Sequence, residues 1–431
     1  MKITCNINRK KFLLSLVFAS FLFCPLVYGE IERFIPAQGG DKEVWRITHN
    51  SIVRDWANYH NTDAWSPDGR YICYTHYAAN DEMYGRSEAA EVHIVDLHTG
   101  EDRTVDHGTD PRWANNHNRL FYVKFMPENG SRNGKGSQVM WLNVDTGELT
   151  RIAYGVPNLG ETDCDDRWIY GYKNSETWGR RSGVRIPICA DSRVEHLEGL
   201  HGIQWVGNPV HPVIFCRKDH RDSEGKPLFF EATRYWFDPE GKNIAIGSPM
   251  LERCHQSWSG DGKYYLLGNS QMRGRLWNEP FPSNLHLLSA VQCGDISPCG
   301  KSGRWVCGSS SYGSFPIADL RSGDGETCLQ AFSVIAYPGD FDASGPYDND
   351  AKGSPDGTKI VFVSNYDLKD GPLAEITIDT ECDSILEVDS TEGFPAQGRL
   401  LLVDGFRREV LSYESKTPNR FEGLKRGLYR T

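Results

Sequence analysis

Seven stretches of this sequence place a histidine or an acid ahead of a strand-like run or turn. His255 and Gln256 precede "SWSGDGK", and His60, Asn61 and Asp63 precede "AWSPDGR". The others are His107 and Asp110; Asp163, Asp165 and Asp166; His201; Asp295; and Asp348 with Asp350. A neutral imidazole takes or gives a proton near pH 7. An imidazole with carboxylates binds a divalent cation. Asp and Asn also precede turns because they accept backbone N–H bonds. That explains most of the acids, but explains His60, His201 and His255 less well. The chemistry is therefore expected where the seven stretches converge.

Convergence needs an architecture, and the sequence contains a repeat. Comparable stretches lie at Trp65, Trp113, Trp168, Trp205, Trp258, Ile296 and Gly353, 48 residues apart on average. A period of roughly 40–50 residues is that of propeller blades. "SPDG" supplies a turn: Pro fixes φ, Asp bonds its own backbone, and Gly accepts positive φ. An alternating apolar run follows each turn and reads as a strand. "EVHIVDLHTGEDRTV" and "QVMWLNVDTGELTRI" read as second hairpins. Each unit is thus about four strands, and one such sheet cannot bury both faces alone. The expected fold is all-β, a seven-bladed β-propeller. "KEVWRITHN" is expected to supply the outer strand of the last blade. In such a ring, the residues leading into the innermost strands meet at a central channel.

The first 29 residues read as a cleaved export signal. Arg9, Lys10 and Lys11 precede a long apolar run, and Val27-Tyr28-Gly29 offers a cleavage point. No later run approaches a membrane span. The expected location is periplasmic or extracellular. Net charge is −11, and the leader carries only basic charges. The rest therefore does not attract nucleic acid or anionic lipid. Of twelve cysteines, Cys293, Cys299 and Cys307 are close enough in sequence to pair. Cys73 and Cys216 sit in strand-like runs and read as buried thiols. Composition changes after about residue 373. Residues 30–383 are read as the propeller and 384–431 as a small β module, which resembles short modules of phage-tail-like and surface proteins.

The segment "GLHGIQWVGNPVHPVIFCRKDH", then "ATRYWFDPEGKNI" and "RCHQSWSGDGKYYLLGN", resembles the oligogalacturonate lyases. The resemblance spans about residues 40–370 and is specific only across 195–270. It implies a propeller that acts on an oligosaccharide and uses a divalent metal, Mn²⁺ or Ca²⁺. It implies His201 as the base and His255 as a metal ligand. Asp348 and Asp350 stand where the family has two further histidine ligands. An arginine near 180–185 is implied as an assistant, with Arg181 and Arg185 as candidates. His60 and Gln256 are candidate substrate contacts. The "SPDG" repeats are also similar to those of TolB-like propellers, which implies a non-catalytic alternative that binds a protein or a glycan.

Overall fold

The computed structural model describes residues 32–34, 44–48, 54–57, 62–77, 90–125, 136–174, 181–200, 203–221, 227–246, 255–269, 271–278, 286–289, 295–309, 315–323, 325–329, 351–362, 384–394, 396–404 and 407–428. The leader lies outside them. Among the described residues no helix is long and apolar enough to cross a membrane.

Strands β1 (Glu32–Phe34) and β2 (Val44–Arg46) form an antiparallel pair. The first blade is β3 (Arg54–Trp56), β4 (Tyr71–Tyr77), β5 (Glu91–Asp96) and β6 (Asp102–His107). The second is β7 (Thr109–Trp113), β8 (Arg119–Phe125), β9 (Ser137–Asn143) and β10 (Glu148–Tyr154). The third is β11 (Asn158–Thr162), β12 (Trp168–Asn174), β13 (Arg181–Pro187) and β14 (Glu195–His196). The fourth is β15 (Ile203–Gly207), β16 (Ile214–Arg221), β17 (Pro227–Phe237) and β18 (Ala245–Ile246). The fifth is β19 (His255–Trp258), β20 (Tyr264–Asn269), β21 (Gln271–Leu276) and β22 (His286–Ser289). The sixth is β23 (Asp295–Cys299), β24 (Trp305–Ser309), β25 (Phe315–Asp319) and β26 (Gly325–Leu329). A further sheet is described through one pair, β27 (Lys352–Gly353) and β28 (Ile360–Val361). Each of the six four-stranded blades is an antiparallel meander of strands consecutive in sequence.

Apolar clusters lie between blades rather than within one sheet. Cys73, Val92 and Ile94 of the first blade pack on Trp113, Leu120 and Tyr122 of the second. Phe121 and Val139 then meet Ile169 and Val184. Tyr170 meets Trp205 and Phe237, and Phe215 and Trp236 meet Trp258 and Tyr265. Leu266 joins Ile296 and Val306. Phe315 stacks at 4.2 Å on Phe362. Val361 closes the circle onto Trp65 and Ile72 of the first blade. Fully burying one such Val, Leu, Ile or Phe contributes about 1.5–3 kcal/mol. The chain is an all-β propeller.

The turns follow one hydrogen-bond plan. Ser66 Oγ donates to Asp68 at 2.6 Å, the Tyr71 N–H returns to Ser66 Oγ at 2.9 Å, and Gly69 takes φ of 74°. Ser259, Asp261 and Gly262 repeat it, as do Ser354, Asp356 and Gly357. In the third blade Asp163 takes the serine's place and accepts from Arg167 N and Trp168 N. In the fourth, Asn208 accepts from Val210 N and His211 N.

This plan corrects part of the repeat frame. The residues that stand where Trp65 stands are Trp113, Thr162, Gly207, Trp258, Cys299 and Gly353, because each precedes the residue that opens its turn. Trp168 instead starts a second strand, Trp205 lies two residues early, and Ile296 three residues early. The aromatic residues misled the alignment because the turn, not the indole, is what repeats. The two "TGE" stretches are hairpin turns as expected, joining β5 to β6 and β9 to β10. β2 pairs with β1, and residues 363–383, read from sequence as the end of the propeller, lie outside the described residues.

At the C-terminal end, β29 (Ile385–Glu387), β30 (Gly398–Asp404), β31 (Arg407–Tyr413), β32 (Ser415–Thr417), β33 (Arg420–Glu422) and β34 (Lys425–Leu428) form two three-stranded sheets. Leu386, Leu400, Leu411, Tyr413 and Phe421 give them a core of their own. Cys73, Cys216, Cys299 and Cys307 are buried thiols. Cys299 and Cys307 are hydrogen-bonded neighbours, and Cys293 lies outside the described residues.

Candidate functional site

The innermost segment of each blade lines a central cavity of about 100 Å³. Asp63 and Trp65 come from the first blade, Trp113 from the second, and Glu161 and Thr162 from the third. Val206 and Gly207, Ser257 and Trp258, Ser297 and Pro298, and Gly353 and Ser354 complete the wall. Close approach requires small residues here. A Cβ on Gly207 would lie 2.0 Å from the Thr162 carbonyl oxygen, and one on Gly353 would lie 2.4 Å from Cys299 Cα.

The cavity has two ends. Pro67, Asn115, Pro209, Gly260, Lys301 and Pro355 belong to the turns and mark one end. The strand starts mark the other, where β19 opens with His255 and β23 with Asp295.

Charged groups of both signs occupy the middle. Arg112 is buried and donates to the carbonyls of Leu159 and Gly160 in the next blade, the latter at 3.0 Å. Its Nε donates to the Asp110 carbonyl at 3.2 Å. Burial lowers its pKa, against the pull of Asp110 and Glu161. Asp110 holds positive φ of 57°, which turns the chain beside this arginine. Lys352 is fully buried on β27. Asp63 faces open space in the channel yet is enclosed by protein. That enclosure pushes its carboxyl above the ordinary value, against the attraction of Lys352 and Lys301. Glu161 is pushed well above its ordinary value, first by burial and then by the like charge of Asp63, against Arg112 and Lys352. Two carboxyls thus lie within reach of three cations, Arg112, Lys301 and Lys352.

Of the residues singled out by sequence, Asp63 lies in the cavity wall. Gln256 is buried on β19, the strand on which Ser257 and Trp258 border the cavity. His255 opens that strand, paired with Gly268. Asp295 is buried at the start of β23. Arg181 opens β13, opposite Asn174. His60, His201, Asp348 and Asp350 lie outside the described residues.

Other candidates are placed elsewhere. His107 is exposed at the end of the outermost strand β6. Asp163, Asp165 and Asp166 sit in the third blade's turn, at the far end from His255. Asp163 caps that turn, and Asp166 accepts from Asn115 N at 2.7 Å and from Asn116 N at 2.8 Å, tying two blades together. Arg185 is on the third strand out from the channel. It bonds Glu195 at 2.8 Å and the Pro239 carbonyl, and lies 3.9 Å over the Trp168 ring. It therefore serves the interface between two blades. Among the described residues no three His, Cys, Asp or Glu side chains gather closely enough to hold a metal.

Sequence reading missed Arg112, Glu161 and Lys352. Each directly precedes a Trp65-equivalent position, so the corrected repeat frame is the signal that finds them.

No protein-family model matches the sequence, and no curated protein is similar to it. Solved structures are similar in shape. An oligogalacturonate lyase from Vibrio parahaemolyticus has a TM-score of 0.55 at 12% identity, over 79% of this chain and 94% of that one. An oligogalacturonate lyase in complex with manganese has a TM-score of 0.56 at 14% identity, over 78% of this chain and 93% of that one. TolB from Acinetobacter baumannii has a TM-score of 0.38 at 10% identity, over 83% and 82%. At these identities the first two likenesses establish the β-propeller fold, and the third carries no argument.

Proposed function

We propose that this β-propeller is an exported carbon–oxygen lyase that cleaves an oligouronide by metal-assisted β-elimination. The observation that carries the reading is the place of the "HQSW" stretch. It forms β19, a channel-lining strand, with His255 at the strand-start end and Ser257 and Trp258 at the cavity. Two of the neighbours in shape are oligogalacturonate lyases, one of them a manganese complex.

The reaction breaks the C5–H bond of a uronate, forms the C4–C5 double bond and expels the O4 substituent. The C5 proton is weakly acidic, so a base and positive charge must act together. His201, as a neutral imidazole, takes that proton. His255, Asp348 and Asp350 are the ligand set, and one imidazole with two carboxylates suits a hard divalent ion such as Mn²⁺ or Ca²⁺. Such a cation, when bound, stabilises negative charge growing on the uronate carboxylate. Arg181 opens its strand at the same end as His255 and assists there. His60 and Gln256 hold the sugar.

The engagement of Arg185 with Glu195 and Pro239 favours a second reading. One arginine expected at the carboxylate supports the scaffold instead, as in a propeller that binds a glycan without cleaving it.

The test is incubation of oligogalacturonides with the protein and Mn²⁺ or Ca²⁺. The unsaturated product absorbs ultraviolet light, so absorbance rises, and His201→Ala abolishes the rise. No rise with any uronate, or an equal rate in His201→Ala, rejects the lyase in favour of the binding propeller.

A further inference from the structure

Cys299 ends β23, and Cys307 lies on the next strand, β24. In their antiparallel register Cys299 stands opposite Trp305, and Cys307 opposite Ser297. The two cysteines are therefore diagonal neighbours on one face of the sheet. Ile296 and Val306 occupy the other face, against Leu266 of the fifth blade. The Cys307 S–H donates to Cys299 Sγ. That bond lowers the Cys299 thiol below its ordinary value, against burial and the charge of Asp356. Cys216, on which burial alone acts, is pushed up instead.

The last blade covers the pair. Cys299 is 2% exposed and Cys307 0%. Cys299 Sγ lies 3.9 Å from the Lys359 carbonyl oxygen, and a Cβ on Gly353 would lie 2.5 Å from Cys299 Cβ. The turn after β23 also docks that blade. Gly300 N–H donates to the Ser354 carbonyl at 2.9 Å, and Lys301 N–H to the Pro355 carbonyl at 2.8 Å. An oxidant thus has access to the thiols before β27 settles over them, and a reductant loses access afterwards.

We infer that Cys299 and Cys307 form a cross-strand disulfide as the chain folds, and that it fixes the hairpin onto which the last blade closes. This rests on the export in the proposed function, because disulfides persist outside a reducing cytosol. It does not rest on elimination. The Cys299 thiolate attacks one sulfur of a disulfide oxidant, such as oxidised glutathione, and expels a thiolate to leave a mixed disulfide. The Cys307 thiolate then attacks the Cys299 sulfur and expels the second thiolate. The cysteines lose two protons and two electrons, and the oxidant leaves as two thiols.

The experiment refolds the full-length chain, reduced in urea, into a buffer of oxidised and reduced glutathione. Circular dichroism confirms folding, and protein purified folded without reductant from an exporting host is the second sample. Thiols are alkylated in denaturant, and the chain is cut with trypsin and an Asp-specific protease. Cuts before Asp295 and after Lys301 and Arg304 separate Cys293, Cys299 and Cys307. Mass spectrometry is expected to find peptide 295–301 linked to peptide 305–318, lighter by two hydrogens than the separate thiol peptides. Cys299→Ser is expected to leave Cys307 alkylated. Dithiothreitol should open the linkage about tenfold more slowly in the folded protein than in urea. The buffer supplies the oxidant, so the pairing stands or falls whether or not the chain is exported, and the absorbance assay reads the lyase separately. Alkylation of both Cys299 and Cys307 in the folded protein, or linkage of either to Cys293, overturns the inference. Equal opening rates overturn the shielding by the last blade.

Discussion

The Trp65 indole N–H donates to the Lys352 carbonyl at 3.1 Å, joining residues 287 apart in sequence. One blade on, the Trp113 indole donates to the Ala64 carbonyl at 2.9 Å in the same way. Lys352 and Ala64 each directly precede a Trp65-type position, so the bond that links two ordinary neighbours also closes the ring.

Trp65→Phe removes the closing bond and leaves the Lys352 carbonyl without its donor. A loss of about 1–3 kcal/mol is expected. Urea denaturation should show a lower midpoint with an unchanged slope. Trp113→Phe should cost a similar amount if the two bonds are equivalent.

Arg112 holds two carbonyls of the following blade. Arg112→Met keeps much of the volume and removes every donor. The expected cost is about 2–5 kcal/mol, because each buried carbonyl left unpaired costs about 1–3 kcal/mol. A stability equal to wild type would show that the two blades do not depend on this side chain.

Glu161 binds its proton more tightly in the folded protein than in the unfolded chain, because burial and Asp63 raise its pKa. The stability it contributes is therefore full in acid and is lost as pH rises from the ordinary carboxylate range through the raised value. Glu161→Gln abolishes this titration. Thermal melts should show the variant gaining on wild type as pH rises from about 4 to 8 and converging with it below about 4. Parallel curves would contradict the raised pKa.

His255→Ala should lower Mn²⁺ affinity at least tenfold in a direct metal titration, and EDTA should abolish uronate elimination by the wild type. Retained metal affinity in His255→Ala would place the ligands elsewhere.

The C-terminal sheets have their own apolar core of Leu386, Leu400, Leu411, Tyr413 and Phe421. A chain ending at residue 383 should keep a cooperative melt close to that of the full protein. A large drop would show that the module supports the propeller.

The sequence alone determined the all-β class, the repeat and the local turns. "SPDG" and "SGDG" are legible because Ser, Asp and Gly settle their own hydrogen bonds within six residues, as Ser66 to Tyr71 show. The frame of the third, fourth and sixth blades was not legible. There Asp163, Asn208 and Gly300 open the turn instead of serine, and prominent aromatic residues sit out of step. Only the tertiary structure decided which charges meet. Arg112, Glu161, Asp63 and Lys352 are unremarkable along the chain, and they come within each other's electrostatic reach because four different blades deliver them there. Their mutual field, and the desolvation that raises both acids, come from ring closure over hundreds of residues, which no local pattern encodes.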